Sequence, residues 1–171
     1  LRVIPVRLSP PVGENIYTGI LTDTGSFHYG NTTAGTFAAA RRCVLAGADP
    51  ARISEKVYET QPLARLRLLP RVLKTLQIEE GGRVASVVVT QRMLVQAGAA
   101  PALTEDFVNY PRSIKGTEVA LLFREVAAEK YRVSFRSRGK IDVSRISQVF
   151  HGGGHPNAAG CTVEGSLREV R

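Results

Sequence analysis

At Glu79-Glu80-Gly81-Gly82 the chain changes character, and no single regular architecture accounts for both sides of that point. Upstream, apolar residues recur at helical spacing. Ile16, Ile20 and Leu21 share one helical face within residues 12–21, although a short buried strand also fits. Thr22-Asp23-Thr24-Gly25 then reads as a turn or cap. Thr32 and Thr33 offer N-caps to a helix carrying Phe37, Ala40, Val44 and Leu45, closed by Gly47. Asp49-Pro50 starts another helix, with Ile53, Val57 and Tyr58 on its apolar face. Pro62 opens a third helical stretch through Leu63, Leu66, Leu69, Leu73 and Leu76, where Pro70 is expected to kink or break it.

Downstream, residues 84–90 are β-branched and apolar, which predicts a buried strand. Residues 91–97 read as a short helix. Thr104-Glu105-Asp106 is expected to cap another, holding Phe107 and Val108. Residues 118–124 and 131–135 read as paired strands, 143–150 as a short amphipathic helix and 161–163 as a last strand. The expectation is an α/β chain. Residues 1–61 form a helical part, 62–82 a linker helix region, and 83–171 a small mixed-sheet domain, with a cleft between the two domains.

Charge narrows the partners. Lysine and arginine number 23 against 15 acids, a net charge of +8, and the isoelectric point is near 10.0. Such a surface favours polyanions: nucleic acid, nucleotides or an anionic membrane. No apolar run approaches the roughly 20 residues that span a bilayer, and no signal peptide opens the sequence, so a cytoplasmic location is expected. Cys43 and Cys161 make neither a metal knuckle nor a disulfide framework and read as buried thiols.

The sharpest local feature is His151-Gly152-Gly153-Gly154-His155-Pro156-Asn157-Ala158-Ala159-Gly160. Glycines let a backbone approach a ligand and offer amide donors to an anion, while His155 and Asn157 add side-chain donors. A plain hairpin turn also explains glycines in this number. Just upstream lie Arg132, Arg136, Arg138, Lys140 and Arg145. Alternation along a strand puts Arg132, Ser134, Arg136 and Arg138 on one side and Val133 and Phe135 on the other. The arginine side is either a phosphate-binding surface or a solvated edge kept soluble by charge. Asp23 is either a cap or one ligand among several; Glu14 and Asp23 alone are too few oxygen donors for a hard metal. No P-loop, zinc pattern or serine–histidine–aspartate spacing occurs, and few aromatics accompany the basic residues.

Several segments together resemble the DHH phosphoesterase family, in its subgroup of bacterial nanoRNases and 3'-phosphoadenosine 5'-phosphate phosphatases. Residues 19–27, Gly-Ile-Leu-Thr-Asp-Thr-Gly-Ser-Phe, resemble that family's last metal-binding motif, and Asn31-Thr32-Thr33 follows as in the subgroup. Val108-Asn109 and Arg112 through Ala120 resemble a stretch of the associated carboxy-terminal domain. Ser134-Phe135-Arg136-Ser137 and the run from Gly152 to Gly160 resemble its substrate-binding signature.

The resemblance implies hydrolysis of short oligoribonucleotides or small nucleotides at a two-metal centre, usually manganese, with magnesium an alternative. Asp23 would be a catalytic metal ligand, and His155 a catalytic donor to the substrate phosphate. Arg112, Arg136, Ser137, Gly152, Gly153, Gly154, His155 and Asn157 would hold the substrate. A homodimer is compatible with it, a membrane partner is not. The family's Asp-His-His triplet does not occur in these 171 residues. The resemblance therefore leaves two accounts: residues 1–10 include a junction of discontinuous segments and further ligands lie outside this sequence, or the chain is a non-catalytic nucleotide-binding module. A RecJ-type single-stranded DNA exonuclease and a general nucleic-acid binder are the other readings. His151 stands where the family commonly has glycine, and His28 where it often has arginine.

Overall fold

The computed structural model describes residues 8–171. The expected junction within residues 1–10 lies, for residues 1–7, outside the described residues. The chain divides into two units, Leu1–Gln61 and Pro62–Arg171.

The first unit is helical: α1 (Pro10–Asp23), α2 (Ala34–Leu45) and α3 (Pro50–Tyr58). The ambiguous stretch 12–21 is helix. Prolines in its first turn cost no hydrogen bond, because those N–H groups have no partner in a helix anyway. Thr33 and Thr36 form a reciprocal cap on α2, and the Asp49 carboxylate accepts from the N–H groups of Ala51 and Arg52 at 3.0 and 3.2 Å. Tyr17, Leu21, Ala40, Cys43 and Ile53 form the core. Phe37, Val44 and Leu45 are exposed. Small residues carry the α1–α2 contact instead, since Gly13 sits so near α2 that a Cβ would lie 3.2 Å from the Cys43 carbonyl oxygen.

The second unit is a mixed six-stranded sheet with helices on both faces, the α/β class expected from the sequence. After α4 (Leu63–Leu73) come β1 (Gln77–Glu79), β2 (Val84–Val89), α5 (Gln91–Ala97), α6 (Asn109–Ser113), β3 (Val119–Ala127), β4 (Lys130–Ser137), α7 (Val143–Val149), β5 (Gly153–His155), β6 (Ala158–Glu164) and α8 (Leu167–Val170). Strand order is β1-β2-β3-β4-β6-β5. Only β2 and β3 pair in parallel, which requires the long crossover through α5 and α6. Interior strand β2, Val-Ala-Ser-Val-Val-Val, is buried on both faces, and so shows a nearly continuous apolar run rather than alternation.

Four local readings differ from the sequence expectation. Residues 62–82 do not stand apart as a linker: Leu68 and Val72 of α4 are buried with Val87, Leu94, Phe107 and Leu122 in the second unit's core. Pro70 neither breaks nor ends α4. The bond its missing N–H forfeits would go to the carbonyl of Leu66, which lies on an exposed turn open to solvent. Residues 77–79 pair with β2 as an edge strand instead of continuing the helix. Residues 104–106 do not cap a helix over Phe107 and Val108. A 3-10 turn, Pro101–Thr104, ends there, Asp106 adopts φ +67°, and the helix begins only at Asn109. No helix among the described residues is long and apolar enough to cross a membrane.

Candidate functional site

Residues paired across a sheet share a face. The β3–β4, β4–β6 and β5–β6 registers therefore place three rows on one side: Ala120, Arg136, Ala158 and His155; Leu122, Ser134, Gly160 and Gly153; Arg124, Arg132 and Thr162. Ala120 and Leu122 are buried in the core that α4 and α5 complete. Farther along the same face Arg132, Gly153, His155 and Thr162 are exposed. The opposite face is packed: Tyr131, Val133, Phe135, Ala159 and Cys161 are buried with Val143 of α7, and Leu167 and Val170 of α8 lie against them.

On the open face lies a cleft of about 470 Å³. Leu122, Arg124, Arg132, Ser134 and Arg136 form its floor, and Pro101, Ala102, Thr104, Glu105, Asp106 and Val108 contribute its wall. Arg124 and Arg132 are directly opposite one another on β3 and β4. Partial burial, then the charge of Arg132, pull the Arg124 pKa below the usual arginine range, and Glu105 opposes that shift. Two adjacent guanidiniums in a partly dehydrated cleft form a ready seat for an anion.

The three glycines beside this face have different duties. A Cβ on Gly152 would fall 2.3 Å from both the Gly160 carbonyl and the Ser147 hydroxyl, and one on Gly154 would fall 2.4 Å from the Ala158 carbonyl, at φ +140°. Both are demanded by hairpin packing. Gly153 has nothing within 4 Å of its absent Cβ, so its bareness leaves open space on this sheet face. The loop is thus a built hairpin. Buried Ser147 donates to the Gly160 carbonyl at 2.7 Å, and the Val143 N–H donates to the Pro156 carbonyl at 2.8 Å.

Ser137 and Asn157 lie off the cleft floor. Ser137 is 4 % exposed, on the packed side of β4, where its hydroxyl donates to Oδ1 of Asn157 at 3.1 Å and ties down the hairpin. Arg138 follows the end of β4 and donates to the Arg112 carbonyl at 2.9 Å. Arg112 itself reaches Asn109 Oδ1 at 3.3 Å from α6. Arg145 is carried by α7, over the opposite face. His151, at φ +56°, ends α7, and its N–H donates to the Gln148 carbonyl at 3.0 Å. The cleft therefore brings Arg136 together with Arg132, Ser134 and Arg124, with Gly153 and His155 on the same sheet face. Arg124 and the wall residues Glu105 and Asp106 were not among the sequence candidates.

Asp23 belongs to the first unit, at the end of α1. The Thr24 hydroxyl donates to the Ile20 carbonyl at 2.6 Å, Gly25 takes φ +55°, and Asn31 Nδ2 donates to the Asp23 carboxylate at 2.9 Å. Among the described residues no three histidine, cysteine, aspartate or glutamate side chains gather as metal ligands.

Residues 82–170, from the start of β2 through α8, match the DHHA1 domain family. The chain belongs to the DHHA1 domain family. The open face and its cleft fall wholly within the matched residues. Over 96 % of its length the chain is 32 % identical to the bifunctional oligoribonuclease and PAP phosphatase NrnA of Thermus thermophilus, covering 49 % of that protein. It is 29 % identical to the Bacillus subtilis protein of the same name over 92 % of its length, again covering 49 %. A solved exopolyphosphatase-related protein from Bacteroides fragilis superposes with a TM-score of 0.88 at 33 % identity, over 95 % of this chain and 48 % of that one. The chain spans about half the length of the relatives it matches. The likeness is to the NrnA-type DHH proteins, the group its DHHA1 motifs resemble.

Proposed function

We propose that this DHHA1 chain recognises the phosphate-bearing end of a short oligoribonucleotide or small nucleotide, and that the whole protein hydrolyses such substrates. The observation that carries the reading is the arginine-floored cleft on the open sheet face, inside the family match. Arg124, Arg132 and Arg136 would hold phosphate oxygens. Ser134 would donate a further hydrogen bond. Gly153, on the same sheet face, would leave room for the chain end, and His155, exposed on that face, would donate to the phosphate as charge builds there. Support comes from the relatives' names, which pair oligoribonuclease with PAP phosphatase.

Asp23 is proposed as one ligand of a manganese or magnesium centre that other residues of the whole protein complete. Its motif, held by the Thr24 and Asn31 hydrogen bonds, presents an exposed carboxylate. A cleft of about 470 Å³ is expected to favour short ligands over long ones. Titrating the chain with a diribonucleotide, 3'-phosphoadenosine 5'-phosphate and a 20-nucleotide strand, at two salt concentrations, tests the reading. Comparable or tighter binding of the short ligands supports it. Affinity that climbs with length and collapses with salt would instead assign a general nucleic-acid surface.

A further inference from the structure

The cleft holds charges of both signs. Its floor carries Arg124, Arg132 and Arg136, and its wall carries Glu105 and Asp106. A site built only for an inorganic anion gains nothing from carboxylates in its wall, since each repels what the arginines attract. The Asp106 carboxylate is engaged by Asn109 Nδ2 at 3.3 Å. Glu105 acts on Arg124, favouring its charged form.

The main chain beneath Glu105 is fixed from behind the cleft. Nη1 of Arg65, on α4, donates to the carbonyls of Leu103 and Glu105 at 2.6 and 2.9 Å. The same guanidinium lies 4.7 Å from the ring centroid of Phe107, which is fully buried. The hydroxyl of buried Thr104 donates to the Pro101 carbonyl at 2.7 Å, and Asp106 turns the chain through φ +67°. These anchors flank Glu105 on both sides, so its side chain projects from a fixed backbone rather than from a loose loop.

We propose that Glu105 is a selectivity residue of this cleft. It accepts a hydrogen bond from a donor group of a nucleotide, a sugar hydroxyl or an exocyclic base amine, while the arginines hold the phosphate. Its charge at the same time turns away inorganic diphosphate and polyphosphate. An ionised carboxylate only accepts hydrogen bonds, so it rewards a ligand that brings a donor and penalises one made solely of acceptors. The inference rests on the nucleotide reading of the cleft and sharpens it into a substrate class.

The test is calorimetric titration of the chain, its Glu105→Gln variant and its Arg132→Ala variant, in metal-free buffer. The probes are inorganic pyrophosphate, adenosine 5'-phosphate, 2',3'-dideoxyadenosine 5'-phosphate and inosine 5'-phosphate. Glu105→Gln should weaken adenosine 5'-phosphate about fivefold and tighten pyrophosphate about fivefold, as expected for losing one charge-assisted hydrogen bond and one repulsion. In the unaltered chain, weaker binding of the dideoxy ligand assigns the sugar hydroxyls as the donor, and weaker binding of the inosine ligand assigns the amine. Shifts of both probes in one direction, or none, would overturn the role of Glu105, as would dideoxy and inosine ligands that both bind like adenosine 5'-phosphate. Failure of the underlying reading looks different: Arg132→Ala would leave adenosine 5'-phosphate binding unchanged.

Discussion

Along β4, Tyr131, Val133, Phe135 and Ser137 point into a layer packed under α7 and α8, while Arg132, Ser134 and Arg136, interleaved with them, floor an open cleft. One strand thus serves stability and recognition with alternate residues. The packed side lets the other side be costly: Arg132 faces Arg124 across the ladder, a like-charge pair that destabilises a sheet. Such a pair is tolerable where the neighbouring side chains are buried, and it is useful where an anion is to be held.

Substitutions on the two sides should therefore fail in different assays. The largest effect is expected on the packed side. Phe135→Ala should lower unfolding stability by about 3–5 kcal/mol, as for other buried phenylalanines, read from a urea midpoint. Next come the hairpin glycines. Gly154→Ala should cost about 1–3 kcal/mol, because backbone atoms block its Cβ and φ is +140°. Gly153→Ala should move the midpoint by less than about 0.5 kcal/mol yet weaken nucleotide binding. Equal losses of stability at both glycines would erase the division of duties. On the open side, Arg132→Ala should leave the urea midpoint within about 0.5 kcal/mol, weaken adenosine 5'-phosphate about tenfold and flatten the salt dependence of binding.

The smallest effect is a pH dependence on the packed side. Asp142 caps α7, and hydrogen bonding from the Ser144 hydroxyl, aided by N–H groups and the Arg145 charge, holds its carboxyl below the usual aspartate range. A depressed carboxyl stabilises the fold above its unfolded pKa, near 4, and loses that contribution as pH falls through the lower folded value. The melting temperature of Asp142→Asn should accordingly fall less than that of the unaltered chain between pH 5 and 2.5. Parallel curves would remove Asp142 from the account.

Much of the second unit was legible because its strands advertise themselves. Residues 84–90 are mostly β-branched, and strand alternation put Arg132, Ser134 and Arg136 on one side as the register has them, while Arg138, assigned to the same side, falls beyond the end of β4. Strand β1 was not legible: three exposed residues, Gln77-Ile78-Glu79, carry no periodicity, and only pairing with β2 makes them a strand. The same alternation argues for Ser134 over Ser137 on the open face, and the buried Ser137–Asn157 contact follows it. Arg124 and Glu105 escaped notice for another reason. Arg124 joins the cleft through a strand register and Glu105 through a loop course, both supplied only by tertiary structure, and the run Thr104-Glu105-Asp106 reads locally as a helix cap rather than as a cleft wall. The glycine run announced a special backbone, but its sequence could not say which glycines serve packing and which leave space.

The most direct test of the account is a backbone and arginine side-chain NMR titration of the chain with adenosine 5'-phosphate. The account expects saturable shifts at Arg124, Arg132, Ser134, Arg136, Gly153 and His155, with Val143, Ser147 and Cys161 on the opposite face unmoved. Shifts centred on α7 and α8, with the arginine side chains silent, would contradict it.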